Sequence, residues 1–199
     1  MKWSRAVHHL SVLAEACGDI GERLSRISDL HVTQLWTFGD VLESKQDMQF
    51  VPVALVVDLP ADEVAWWSEP EGATGWARST RMDKNPIRPW WRSAHAPVWN
   101  HRIVRPAPLW DSSGGIRQDT FDAIREGRID SVRSEPPTPE EYRLRLDDEL
   151  AVSLAWLRRC TWDWDEHQWA RGGHLARADR LGLAGLGYLD VLDAVRELD

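Results

Sequence analysis

The chain has 199 residues and a formal net charge of −8, a size that fits one domain or one α/β domain with a helical extension. The acidic balance argues against binding along a phosphate backbone, which relies on clustered Lys and Arg, so no nucleic-acid partner is expected. With no basic start followed by an apolar stretch and no run of about eighteen apolar residues, neither a leader nor a membrane span is predicted. A cytoplasmic protein without a membrane partner is the expectation.

Cys17 and Cys160 are the only cysteines and form no CxxC pair, which predicts two buried thiols rather than a disulfide framework or thiolate metal site. Thirteen Trp stand against three Phe and two Tyr, and arginine far outnumbers lysine. GC-rich codon usage accounts for the arginine bias. The indoles still need places in the fold, each with an N–H that wants a partner when buried.

In chain order, Trp3, Val7, Leu10, Ala14 and Cys17 recur at steps of three and four, so residues 3 to 17 are predicted as an amphipathic helix. HVTQLWTF (31 to 38) and VPVALVVD (51 to 58) are rich in β-branched and aromatic residues. The second is almost continuously apolar, as a central strand covered on both faces should be. DLPADEVAWW (58 to 67) has Pro60 and acids where a helix begins, and a short helix is expected there.

From Glu69 to Arg92, Pro and Gly punctuate the chain, which predicts loops with short strands. VWNHRIV (98 to 104) is the next expected strand. Pro106, Pro108 and SSGG at 112 to 115 change the composition, so an internal boundary is placed between 1–111 and 112–199.

FDAIREGRIDSV (121 to 132) can form a helix with Phe121 and Ile124 inward, weakened by Gly127. In EPPTPEEY, Thr138, Pro139 and Glu141 spell a capping box. Tyr142, Leu146, Leu150, Leu154 and Leu157 then make one apolar stripe. A last helix is read from Leu186, Leu189, Leu192, Val195 and Leu198. The fold class expected is α/β (α+β), a mixed sheet with flanking helices followed by a helical C-terminal region.

The stretch WTFGDVLESKQDMQ (36 to 49) lies between the first two strands. A helix, a strand ending in Phe38 and Gly39, a polar connection with an acid near its end and then a hydrophobic strand resembles the minimal nucleotidyltransferase core. That resemblance covers roughly residues 3 to 104. It implies backbone amides near Gly39 approaching a triphosphate, and an Asp-x-Asp pair holding magnesium at the start of the next strand.

Here Asp40 follows the glycine, and Asp47-Met48-Gln49 replaces one carboxylate of the pair with an amide. VWNHRIV supplies no third acid. Two-metal phosphoryl transfer needs that charge, so Gly39, Asp40, Asp47 and Gln49 are read as vestigial nucleotide and metal positions, with no cofactor expected. Magnesium enters only if transfer survives on a nonstandard ligand set. MKWSRAVHHL, VALVVDLP and WNHR are also similar to an uncharacterised family of actinobacterial proteins, which implies no activity.

KNPIRPWWRSAHAPVWNHRIVRPAPLW (84 to 110) gathers Trp, His and Arg between prolines, a composition suited to stacking on a ring and holding an anion. Arg88, Trp90, Trp91, Arg92, Trp99 and His101 are its candidate ligand- or partner-binding residues, with packing on the sheet as the alternative. Asp163 and His167 in WDWDEHQW, His8-His9, and the glycines at 182, 185 and 187 are assigned to structure, and no metal site is predicted. The reading is of a catalytically degenerate binding or regulatory protein, with a partner protein or a second copy as its expected company. An active transferase and a small-molecule binder using the Trp and Arg cluster are the alternatives.

Overall fold

The computed structural model describes residues 1–24, 30–170 and 172–198. Helix α1 (Trp3–Leu24) is followed by β1 (Val32–Thr37), the short α2 (Asp40–Glu43), β2 (Val51–Val57), α3 (Ala73–Ser79) and β3 (Ile87–Ser93). Then come β4 (Ala107–Asp111), β5 (Gly115–Ile116), α4 (Gln118–Glu126), α5 (Pro139–His167) and α6 (His174–Arg196). The strands form one sheet in the order β3-β2-β1-β4-β5. Only β2 and β3 run parallel, joined through 58–86; β1 pairs antiparallel with β2 and β4, and β4 with β5. This is a mixed sheet with flanking helices and a helical C-terminal region, an α+β architecture.

All seven residues of β2 are buried, because both faces of the sheet are covered. Val51, Val53, Leu55 and Val57 point to one face and join Leu10, Leu13 and Ala14 of α1, Phe121 and Ile124 of α4, and Trp91 in the larger core. Burying each such side chain contributes about 1.5–3 kcal/mol. Ala54 points the other way, into a smaller core with Phe38, Trp66, Ile103, Leu146 and Val191. Strand alternation sends adjacent Trp90 and Trp91 to opposite faces: Trp91 is 4% exposed in the large core, while Trp90 packs half-buried against the small one.

The C-terminal helices cover the small core as an antiparallel hairpin. Arg143 at the start of α5 donates to the Leu198 carbonyl (3.2 Å), and Asp163 near its end meets Arg177 of α6 at 3.7 Å. Thr138 caps α5 in the predicted capping box, its Oγ1 accepting from the Glu141 N–H. A buried ion cluster ties α5 to β3: Glu149 binds both Arg92 and Arg145, the latter at 2.6 Å.

Several expectations are corrected. Segment 58–67 holds only a 3-10 turn, Ala61–Glu63, because Trp66 is drawn into the small core and Trp67 takes a left-handed φ of 65° that no helix continues. Segment 98–104 is a loop, in which the Asn100 side chain accepts from the backbone N–H groups of Arg102 and Ile103 (2.9 and 2.8 Å). Such local bonds compete with a strand ladder. The strand lies instead at β4, and residues 112–114 turn the chain into β5.

Segment 69–92 contains helix α3 as well as all but the last residue of strand β3. On α6 the expected leucine stripe faces outward at Leu186 and Leu189, 54% and 53% exposed, whereas Ala184, Gly187 and Val191 are buried. Val195 of the stripe does pack on the small core. At Gly187 the helix seats by backbone approach, since a Cβ there would lie 2.2 Å from the Trp66 carbonyl oxygen.

Candidate functional site

A cavity of about 730 Å³ opens beside the small core, within the size range of small-molecule sites. Five separated stretches build its four sides. The first is the end of β1 and the connection to β2, which contributes Phe38, Gly39, Asp40, Asp47, Gln49 and Phe50. Gly39 has φ 68°, a left-handed conformation that favours glycine, and this turns the chain out of β1 along the cavity's rim. Trp66 and Trp67 form a second side, Arg88 and Trp90 of β3 the third, and Arg102 with Asp190 of α6 the fourth.

The aromatic wall is organised around one cation. The Arg88 guanidinium lies 4.9 Å from the Trp90 ring centre, 5.2 Å from Phe50 and 5.3 Å from Trp67. Arg88 makes no ion pair among the described residues and is exposed. Rings of negative face potential hold such a group without neutralising it. Trp66 stacks on Trp90 at 6.4 Å and 16°, and Phe38 meets Trp90 edge-on at 5.4 Å.

On the opposite side Asp190 is fully engaged. It accepts from Trp66 Nε1 at 2.8 Å, from His101 Nε2 at 3.1 Å and from the Arg102 guanidinium. Burial alone would raise its pKa, but these donors outweigh burial and hold the carboxyl well below the usual range. Burial lowers the pKa of His101, partly offset by Asp190, so the imidazole is neutral near pH 7 and must carry its proton on Nε2 to donate.

Two features mark the wall at Trp67. Its backbone is left-handed, a costly state for a bulky residue, and its buried indole N–H has no partner among the described residues. The residues Gly39, Asp40, Asp47, Gln49, Arg88 and Trp90 expected from the sequence therefore meet in one place, although two separate stretches suggested them. Trp91 lies in the large core, Arg92 is spent on Glu149, Trp99 stacks on Tyr142 at 6.5 Å, and His101 sits behind the cavity on Asp190.

With this geometry in place the chain can be compared with known proteins. A family model described as a domain of unknown function, DUF7711, matches residues 1–197. The chain belongs to the DUF7711 family. No curated protein and no solved structure matches it.

Within this DUF7711 fold, sequence reasoning missed Phe50, Trp66, Trp67, Arg102 and Asp190. A signal existed for three of them: the Trp66-Trp67 doublet lies in a stretch expected as helix, and Asp190 is an acid inside a leucine-rich run. Asp40, Asp47 and Asp190 share the cavity, yet among the described residues no three His, Cys, Asp or Glu side chains gather as metal ligands.

Asp163 pairs with His167, Arg177 and Arg180 and pins α5 to α6. His8 and His9 lie on α1, away from the cavity, and burial lowers the His9 pKa. A hollow of about 890 Å³ between α1 and residues 78–85 is larger, but it holds neither an aromatic ring nor a buried charge. Among the described residues no helix is long and apolar enough to cross a membrane.

Proposed function

We propose that this protein binds a small, ring-bearing molecule in the cavity between the β1–β2 connection, β3 and α6, and that it acts as a binding or regulatory protein rather than as a nucleotidyltransferase. The observation that carries this reading is Arg88: an exposed, unneutralised guanidinium pre-ordered against Phe50, Trp67 and Trp90 on the wall of the cavity. A flat ring gains stacking area against these side chains, and an anionic group on it meets a cation whose geometry is already fixed.

The order of helix, strand, short helix and strand supports a core built like a nucleotidyltransferase. The charges around its phosphate-binding turn oppose the chemistry. Asp40 stands at that turn, Gln49 replaces a ligand, and β3 brings Arg88 and Trp90 to the cavity instead of a third carboxylate. Transfer through two metals requires ligands that this set lacks.

Ligand-observed NMR of a fragment collection tests the proposal. Ring-bearing acids should show saturation transfer that disappears in Arg88→Ala and in Trp90→Ala. Hits unaffected by both substitutions would place binding elsewhere. Micromolar, magnesium-dependent ATP binding by calorimetry would restore the transferase reading.

A further inference from the structure

The charges left unpaired in the cavity narrow the ligand class, on the premise that the cavity is a small-molecule site. Five charged side chains line it: Asp40, Asp47, Arg88, Arg102 and Asp190. Arg102 and Asp190 neutralise each other through a two-point contact, and Trp66 and His101 donate to the same carboxylate. Neither has charge to spare.

What remains is one cation and two anions. Arg88 lies over three aromatic rings, and Arg88, Asp40 and Asp47 are exposed and make no ion pair among the described residues. The two acids come from the β1–β2 connection and Arg88 from β3, so the unpaired charges of opposite sign reach the cavity from different elements.

A polyphosphate fits this arrangement poorly. Each of its charges would meet one guanidinium but two carboxylates, and like charges about 4 Å apart cost about 1 kcal/mol even in water and more where water is excluded. The net charge of −8 adds repulsion during approach. A simple aromatic acid satisfies Arg88 and leaves both carboxylates facing its ring. A simple aromatic amine satisfies the acids and leaves Arg88 unmet.

We propose that the cavity takes a zwitterion, a ring-bearing molecule with a carboxylate and a cationic amine. The ring lies against Phe50, Trp67 and Trp90. The carboxylate takes the Arg88 guanidinium, a charge-assisted and directional bond. The amine faces Asp40 and Asp47. Each charge of such a ligand meets its opposite, and no protein charge in the cavity is left against an apolar group.

Four probes without an indole test this against the protein's own tryptophan fluorescence and by saturation-transfer NMR: L-phenylalanine, 3-phenylpropionate, phenethylamine, and ATP with and without magnesium. Phenylalanine should bind at least about tenfold more tightly than either truncated analogue, the scale of one charge-assisted contact. Arg88→Ala should erase its advantage over phenethylamine. The double variant Asp40→Asn, Asp47→Asn should erase its advantage over 3-phenylpropionate, and both variants involve exposed residues that leave the core intact. If 3-phenylpropionate or ATP binds as well as phenylalanine, or better, the cavity remains a ligand site and the zwitterion assignment is overturned. If none of the four binds at millimolar concentration, the site itself and the assignment fall together.

Discussion

Gly187→Ala is the sharpest test of how the C-terminal hairpin is seated. A methyl group at this position would lie 2.2 Å from the Trp66 carbonyl oxygen, 3.1 Å from its carbon and 3.2 Å from Trp67 Cβ. The first distance is more than about 1 Å inside the contact optimum, and the obstacle is backbone that cannot rotate away. Overpacking of this kind costs about 1–3 kcal/mol, and the rigid partner places Gly187 at the upper end. Against it stands the helix preference for alanine, about 1 kcal/mol, so the net loss is about 1–2 kcal/mol.

Gly182 and Gly185 lie on the same helix with nothing within 4 Å of an added Cβ. Alanine there should gain about 0.5–1 kcal/mol, since only the propensity term acts. The three variants thus differ in sign on one helix, readable by urea unfolding, or by calorimetry at ~2–4 °C per kcal/mol for a chain of this length. If Gly187→Ala is as stable as the other two, α6 does not rest on the Trp66–Trp67 backbone, and the cavity wall described above is wrong.

Glu149→Gln should cost about 3 kcal/mol, because it leaves Arg92 and Arg145 buried without their counter-charge; an unchanged urea midpoint would contradict this. Glu149 and Asp190 both have folded pKa values below their ordinary ones, since Arg92, Arg145 and the donors around Asp190 outweigh burial. Their contribution is therefore complete above the ordinary carboxylate value near 4 and is lost as pH falls from there toward the lower folded values. Urea midpoints at pH 5, 4 and 3 should decline in that order, and a flat series would refute the linkage. Trp91→Ala should cost about 3–5 kcal/mol as a core truncation, while half-buried Trp90→Ala should cost less and weaken ligand binding; equal losses would make the pair packing alone. Cys17 and Cys160 are both buried with raised thiol pKa values, so neither should react with a thiol reagent until the protein is unfolded, and rapid labelling of the native protein would show otherwise.

The sequence was legible where local chemistry and tertiary packing agreed. Helix α1, strands β1 and β2 and the Thr138 capping box follow from periodicity and caps because the partners of those residues only confirm what the local pattern states. Strand β3 was obscured because Pro86 and Pro89 read as loop, although an edge strand tolerates proline. The outward turn of Leu186 and Leu189 was hidden because the contact at Gly187 is made by the absence of a side chain, which leaves no hydrophobic signal. Asn100 ended a predicted strand through a side-chain bond that periodicity does not register. For the site, Asp40, Asp47, Arg88 and Trp90 were visible as residue types, but their meeting depends on the crossover from β2 to β3. Asp190 reaches the same cavity only through the seating of α6, across 88 residues from Arg102.

Strand β3 bears on how the chain survives its own synthesis. It forms the outer edge of the sheet and carries two adjacent indoles, a combination that invites pairing with another chain. Residues 87–93 leave the ribosome before Glu149 exists, so Arg92 is then a bare charge on this segment, joined by Arg88 and interrupted by Pro89, the residue types that guard an exposed edge. When α5 arrives, Glu149 closes on Arg92 and the guard becomes a tie between sheet and hairpin.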